Sequence, residues 1–399
     1  MSLTRAPRYG FSTLVALTVV TLMAAPSWAQ QPSGPAASEA ASAGGGGGQA
    51  QPGPSTDSGF LNFFRKTELA GTADMYFHYN FNEPKTGSLT PLRNFDSEHN
   101  QFSLALVELA LIKPATADDR VGFRLDLDYG PVAAWVHAAD PGGVDVFQNI
   151  QQAYISYLAP AGTGLMFEVG KFVTQHGAEV IEAKDNWNYS RSLLFAWAIP
   201  YYHMGVRVGY SPNDKLTLGA SATNGWNNVT DNNSQKTYGF QAIVKPAAAV
   251  SIVQNYMVGP EQTDDTDDLR HLSDTTLTYA VNDRFSVMGN YDYGRDEVAG
   301  TAVTWQGVGI YAKAQATPIF AIIPRYEYYN DEDGFTTGTA QNVQEFTLTA
   351  EVKHSQGLIM RLEYRRDWSD VNFFTKGRRA RDNQNTFSVG FVYAFSTKQ

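Results

Sequence analysis

Charged residues that alternate with apolar ones are the feature of this sequence best suited to act on ions. In residues 121–130, VGFRLDLDYG, the charged residues Arg124, Asp126 and Asp128 stand at every second position between apolar neighbours. A period of two puts successive side chains on opposite faces of a β-strand, whereas a helix would scatter them around its axis. The pattern therefore predicts a strand with one apolar face and one charged face.

Other residue types that carry chemistry occur without the spacing that chemistry needs. The seven histidines form no HxxxH or HExxH pair, and GxSxG does not occur. The acidic run DDTDD at 264–268 lacks the glycine turn and the distal glutamate of an EF-hand loop. The chain contains no cysteine, which excludes disulfides, thiol catalysis and cysteine-based metal sites. We expect no catalytic residues, no metal site and no cofactor.

The elements that position the charges share the same period of two. Alternation returns in five further segments, and no long stretch has a convincing helical period. No run of eighteen apolar residues follows the N-terminus, so a membrane-spanning helix is not expected. The segments are 69–81, 285–293, 345–353, 358–365 and 386–395.

Short and long connections alternate along the chain. The short ones are rich in turn residues: 114–119, 160–164, 211–214, 246–249, 281–283, 316–318 and 354–357. The long and more polar ones are 83–99, 130–148, 175–203, 224–236, 259–269, 295–302, 330–341 and 369–382. Seven short and eight long connections join about 16 strands.

This organisation predicts an all-β fold: a transmembrane antiparallel up-and-down β-barrel of about 16 strands, with a range of 14–18. Transmembrane barrels have short turns at one end, long loops at the other, and strands that are apolar outside and polar inside. A closed barrel pairs every backbone N–H and C=O group within lipid, which an open sheet cannot do. A soluble all-β protein remains the alternative, although its strands would need Greek-key connections and a matched core.

In a barrel of this size the lumen is too wide for side chains to fill, so its wall can carry charge in water. Rings of wall charge select ions in pores. Paired charges that only hydrate the wall are the alternative at any single position. The predicted pore-lining charges are Arg124, Asp126, Asp128, Glu168, Arg207, Arg325, Glu327, Glu345, Glu351, Arg361, Glu363 and Arg365.

The N-terminus predicts export. Two arginines precede the apolar run 11–25, and small residues follow, so residues 1–29 are expected to be a signal peptide cut after Ala29. Residues 30–59 are rich in Gly, Ala, Pro and Ser and are expected to be a disordered linker, and the barrel occupies 60–399. Without the signal peptide, 28 Lys and Arg stand against 40 Asp and Glu, a net charge of −12. So acidic an exported chain is a poor candidate for nucleic-acid binding.

Residues 165–226 carry a more specific likeness. LMFEVGKF at 165–172, GAEVIEAKDNWNYSRSLLFAWAIPYYHMGVRVGY at 177–210 and TNGW at 223–226 resemble the OmpL-like β-barrel porin family 2. The sequence is more distantly similar to phosphate-selective porins. The resemblance covers roughly residues 60–395 and implies a channel for small hydrophilic solutes in the bacterial outer membrane.

The longest connection, 175–203, is the candidate constriction loop. Its charged residues precede the apolar run SLLFAWAIP, which is hard to leave in water. Folding into the lumen and forming an exposed cap or a contact with a neighbouring barrel are both open. The candidate constriction residues are Glu179, Glu182, Lys184, Asp185 and Arg191.

The sequence thus predicts a passive outer-membrane porin whose partners are membrane lipid and small hydrophilic solutes or ions. A plugged structural or adhesive barrel with partner-binding loops is the alternative. An outer-membrane hydrolase is a third reading, but it would need a histidine on the lipid side, and His78 falls on the polar face of its strand. The excess of acid favours cations, whereas five inward arginines oppose that preference. A homotrimer is common among barrels of this size in the families that the sequence resembles.

Overall fold

The chain forms a closed barrel of sixteen antiparallel strands. The computed structural model describes residues 63–85 and 89–398, so the predicted signal peptide (1–29) and linker (30–59) lie outside the described residues. The barrel consists of β1–β15 and β18, and β18 closes it by pairing with β1. The fold predicted from the alternation is confirmed, including the number of strands.

The strands have the following bounds: β1 Glu68–Asn80, β2 Gln101–Lys113, β3 Val121–Tyr129, β4 Ile150–Ala159, β5 Leu165–Val173, β6 Tyr202–Asn213, β7 Leu216–Thr223, β8 Thr237–Ala247, β9 Val250–Pro260, β10 Leu269–Asn282, β11 Phe285–Val298, β12 Thr301–Thr317, β13 Phe320–Asp331, β14 Gln341–Lys353, β15 Leu358–Ser369, β16 Phe374–Lys376, β17 Arg379–Arg381 and β18 Asn383–Ser396.

The two faces of each strand differ in the way that the period of two predicts. On β15, Leu362 is 42% exposed on the outer face, whereas Glu363, the next residue, is 1% exposed on the inner face. An apolar outer surface is stable against hydrocarbon, and the closed strand ladder leaves no unpaired edge there. The barrel therefore turns its apolar side chains to lipid and its polar side chains to the interior.

One predicted long loop is wrong. Residues 295–302 were expected to form a loop, but β11 and β12 pair as far as Val298 and Thr301. Only Ala299 and Gly300 make the turn, both with positive φ (50° and 75°). Two-residue hairpin turns favour this backbone conformation because it matches the twist of the flanking strands. The polar residues of this segment belong to strands rather than to a loop.

Short helices occupy two of the long connections. α1 (Pro131–Val136) and α2 (Val144–Phe147) lie between β3 and β4, a 3₁₀ turn covers Ala183–Asp185, and a π-helical turn covers Leu194–Ala198. The period-two analysis missed these helices because each is shorter than two turns. None of the helices in the described parts of the chain is long and apolar enough to cross a membrane.

Candidate functional site

The connection between β5 and β6, residues 174–201, runs through the barrel interior, and we call it the inner loop. Asn188 Nδ2 donates to Thr349 Oγ1 on β14 at 2.7 Å, and the Tyr189 hydroxyl donates to a carboxylate of β1 at 2.8 Å. Trp305 Nε1 on β12 donates to the Ala198 carbonyl at 3.0 Å. One segment can reach strands on several sides of the wall only from inside. The sequence left open whether this loop folds into the lumen or forms an exposed cap or a contact with a neighbouring barrel; in the structure it folds into the lumen.

Three wall arginines hold the inner loop by its backbone. Arg361 Nη1 donates to the Ala183 carbonyl at 2.5 Å, and Arg325 Nη1 donates to the Ser190 carbonyl at 2.7 Å. Arg365 donates to another loop carbonyl at 2.7 Å. A guanidinium has five N–H donors and can bind a carbonyl and a carboxylate at once. These arginines therefore fasten the loop to β13 and β15.

Two wall glutamates complete the attachment by accepting loop N–H groups. The Glu363 carboxylate accepts from Tyr189 N at 2.7 Å and from Ser190 N at 3.0 Å. Glu327 accepts from Leu193 N at 2.7 Å and from the next N–H at 3.1 Å. Hydrogen bonds to a charged acceptor are about twice as strong as neutral ones. A turn of loop backbone is thus bound by two buried carboxylates.

The apolar part of the inner loop is buried inside the barrel. Leu193 and Leu194 have no exposed surface, and the Phe195 ring lies 5.7 Å from the ring of Phe95. On β12, a Cβ at Gly307 would approach Leu194 Cδ2 to 2.6 Å, so glycine leaves the space that the leucine fills. Burial against the inner wall explains how an apolar run is kept out of water.

The five candidate constriction residues all lie on the inner loop but differ in role. Glu179 accepts from a wall arginine at 2.8 Å, and Arg191 donates to loop carbonyls, so both stabilise the loop itself. Glu182 accepts a bond from a glutamine of β4. Lys184 and Asp185 pair with each other and keep partly exposed side chains. Only this last pair presents substantial charge to water.

All twelve predicted pore-lining charges lie on strand positions that face the interior. Ten of them are buried; Arg124 and Glu168 keep side-chain exposures of 27% and 14%. Arg124 Nε donates to Asp126 at 2.8 Å, and Arg207 Nε donates to Glu168 at 2.5 Å. Of these twelve charges, those that keep a partly exposed side chain therefore lie on β3 and β5. The ten buried charges are Asp126, Asp128, Arg207, Arg325, Glu327, Glu345, Glu351, Arg361, Glu363 and Arg365.

Sequence reasoning missed three residues of the interior. Asp74 on β1 binds the Tyr189 hydroxyl, Trp305 binds the inner loop, and Glu108 on β2 is a buried inner-face acid. The alternation in residues 73–80 could have found Asp74. Glu108 was harder to find, because the pairing of β2 with β1 shifts by one residue near Ala105, which places apolar residues on both faces of that strand.

The structure is that of an outer-membrane porin: sixteen closed strands, an apolar outer face, a charged inner face and a loop folded into the lumen. The chain belongs to the family described as "Putative beta-barrel porin-2, OmpL-like", whose profile matches residues 66–395. The family resemblance seen in the sequence is confirmed, and with it the outer-membrane location of the barrel.

Solved structures share the fold at low sequence identity. The outer membrane channel DcaP of Acinetobacter baumannii is similar with a TM-score of 0.56 and 15% identity, over 82% of this chain and 97% of that one. An anion-selective porin from Comamonas acidovorans gives 0.55 and 11%, over 82% and 99%. OmpF of Salmonella typhi, in complex with daunomycin, gives 0.52 and 11%, over 82% and 97%. A search of curated protein sequences found no match.

Proposed function

We propose that the chain is a passive channel for small hydrophilic solutes or ions in which the inner loop sets the narrowest point. The observation that carries this proposal is the attachment of residues 174–201 across the lumen by wall arginines and glutamates. A segment fixed in this way divides the interior into a filled side at β12–β15 and a side at β3–β6 that keeps exposed charge. Solutes would pass along the second side.

Ten of the twelve predicted pore-lining charges then fall into two groups, and the buried Asp126 and Asp128 belong to neither. The passage would be lined by Arg124, Glu168 and Arg207 of the wall and by Lys184 and Asp185 of the inner loop. The side chains of these residues are partly exposed to water, except that of Arg207, which pairs with the partly exposed Glu168. The charges of β13–β15 would hold the loop in place instead. Those are Arg325, Glu327, Glu345, Glu351, Arg361, Glu363 and Arg365.

We assign the barrel no enzymatic activity. His78 Nδ1 lies 2.9 Å from Ser388 Oγ, and its Nε2 lies 3.1 Å from Thr90 Oγ1, a geometry that could belong to an activated hydroxyl. His78 and Ser388 are buried on the inner face, however, where no lipid can reach them. A Ser–His pair for lipid hydrolysis would need access from the outer surface. These contacts fix the connection between β1 and β2 rather than serve catalysis.

We further propose that the mature chain begins after Ala29 and assembles as a homotrimer in outer-membrane lipid. The signal-peptide pattern of residues 1–29 supports the cleavage. Porins of similar fold support the passage of small solutes and the lipid surroundings. The mass of the detergent-solubilised protein, by light scattering, would show whether three copies associate, and its N-terminal residue would show the cleavage site.

Single-channel recording in a planar bilayer tests the channel proposal. The refolded protein should give discrete conductance steps, and replacing 179–198 by a short Gly-Ser linker should raise the step size. The same linker inserted at Ala299–Gly300, an exposed turn, is the matched control and should leave the step unchanged. A folded barrel that gives no steps until the inner loop is removed would overturn the proposal in favour of a plugged structural barrel.

A further inference from the structure

A run of basic residues lies in the connection between β15 and β18. The sequence KGRRAR at 376–381 contains four cations and no acid, in a chain whose overall charge is negative. It belongs to the two-stranded hairpin of β16 and β17, and all four basic residues are exposed. An exposed arginine on the outer face of β15 adds a fifth cation. We call these five residues the basic rim: Arg366, Lys376, Arg378, Arg379 and Arg381.

The basic rim lies at the end of the barrel that carries the long connections. β15 ends at Ser369, and the segment 370–382 that follows is one of these connections. In outer-membrane barrels the long connections face the cell exterior. Lys376 Nζ donates to the carbonyl of Phe81, the residue after β1, at 2.9 Å, which holds the hairpin against the adjoining part of the wall. The hairpin is therefore fixed beside the outer leaflet of the membrane.

Arg366 belongs to the lipid-facing surface rather than to the interior. Its guanidinium carbon lies 6.0 Å from the centre of the Trp368 ring, and Phe346 is the residue opposite it on β14. A lipid-facing arginine is costly at the membrane midplane but tolerated near the interface, where aromatic residues are enriched. Arg366 thus marks the headgroup level of the wall. It borders a groove on the outer face that is lined by Phe346, Tyr364, Arg366, Trp368, Asp382 and Asn383.

The cations of the basic rim are not neutralised by the protein. Within the described parts of the chain none of the five forms an ion pair, and the four arginine side chains donate no hydrogen bond. Lys376 and Arg379 stand directly opposite each other in the hairpin, where like charges repel. The adjacent acids have other partners: Asp370 accepts from β14 at 2.8 Å, and Asp382 accepts from the next residue at 2.6 Å. The rim therefore keeps an excess of positive charge and free N–H donors.

We propose that the basic rim binds the phosphate groups of lipid headgroups in the outer leaflet. A guanidinium presents its N–H donors in a planar fork that matches two phosphate oxygens. Clusters of Lys and Arg beside a membrane surface attract anionic headgroups. Arg366 contacts such a headgroup from the wall and the hairpin contacts it from the exterior side. The inference concerns the outer surface of the barrel and does not rest on the proposed channel function.

A titration with diphosphoryl lipid A, followed by native mass spectrometry of the refolded barrel in detergent, tests the proposal. The unmodified protein should bind this lipid, and the triple variant Arg378→Gln, Arg379→Gln, Arg381→Gln should bind it more weakly. We expect the dissociation constant to rise about fivefold for each cation removed, hence about 100-fold in the triple variant. Arg366→Gln alone should raise it about fivefold.

A matched control variant removes the same charge from the opposite end of the barrel. Lys215→Gln, Lys245→Gln, Arg284→Gln replaces three exposed cations beside the short turns and should leave the dissociation constant nearly unchanged. Heat-modifiable migration on gels confirms that each variant is folded. Both triple variants should fold, because all of the replaced residues are exposed.

Four outcomes would overturn the proposal. The unmodified barrel could fail to bind diphosphoryl lipid A, or the triple variant and the control could bind it equally well, so that the rim is not the site. Displacement of the lipid by inorganic phosphate at equal phosphate concentration would show a site for the free anion rather than for lipid. A lower mass of the rim variant by light scattering would show that the rim is a contact between subunits.

Discussion

Glu363→Gln should release the middle of the inner loop. The Glu363 carboxylate accepts three hydrogen bonds: from Tyr189 N at 2.7 Å, from Ser190 N at 3.0 Å and from Thr349 Oγ1 at 2.7 Å. Glutamine has the same shape, but it has one acceptor oxygen and an NH₂ group that can only donate. One backbone N–H of the loop would therefore face another donor.

The size of the effect follows from these bonds. A hydrogen bond to a charged group contributes about 1.5–3 kcal/mol, a neutral one about 1 kcal/mol, and a buried unsatisfied N–H costs about 1–3 kcal/mol. At the low end of each range, exchanging two charged bonds for one neutral bond and one unsatisfied N–H weakens the attachment by about 3 kcal/mol. Because about 1.4 kcal/mol corresponds to a factor of ten, local opening should become roughly 100-fold more frequent.

Hydrogen exchange followed by mass spectrometry measures this opening in the folded barrel. Peptides that cover 185–195 should exchange roughly 100-fold faster in Glu363→Gln than in the unmodified protein. Glu168→Gln is the control, because Glu168 bonds to Arg207 and contributes nothing to the inner loop. If exchange in 185–195 changes less than about threefold while the barrel stays folded, the wall carboxylates do not hold the loop and this reasoning is wrong.

Two further predictions address other parts of the interior. Gly390→Ala on β18 should displace the Tyr189 ring, because a Cβ there would lie 2.3 Å from Tyr189 Cδ2. Hydrogen exchange of the 185–195 peptide should then be faster than in the unmodified protein, and unchanged exchange would contradict the prediction. Burial raises the pKa of Glu261, which accepts from Trp226 N at 2.7 Å, to about 7. Because the folded state then binds the proton more tightly than the unfolded chain does, stability should fall by up to about 3 kcal/mol as pH rises from about 4.5 to about 7 and stay level above that. The temperature at which the barrel unfolds should fall over the same pH range. In Glu261→Gln this dependence of the unfolding temperature on pH should be weaker. An unfolding temperature that does not change with pH in the unmodified protein would refute the raised pKa of Glu261.

The wall of the barrel could be predicted from the sequence because lipid fixes which face each residue takes. On β15, the alternation alone placed Arg361 and Glu363 inside, and the structure agrees. Strand ends were harder to place, since above the membrane the outer face need not be apolar. The turn Ala299–Gly300 and its polar neighbours therefore looked like a loop, although the strands continue to Val298.

The contacts of the interior could not be predicted in the same way. Glu363 was expected to face water, but it binds backbone N–H groups at 189 and 190, more than 170 residues away in sequence. Such contacts depend on the path of a loop that has no period of its own. Charge alone could not show which side chains of the wall remain accessible and which hold the loop.

The attachment of the inner loop also orders the steps by which the barrel forms. The loop belongs to the β5–β6 hairpin, in the first half of the chain, but it is bound by side chains of β12–β15, which are synthesised much later. Its partners are separated from it by 107 residues at Trp305 and by 178 at Arg361. Contacts over such distances form late in folding, because the chain between them must first be ordered. We therefore expect the loop to dock after the C-terminal strands have paired, so that the interior is completed as the last stage of barrel closure.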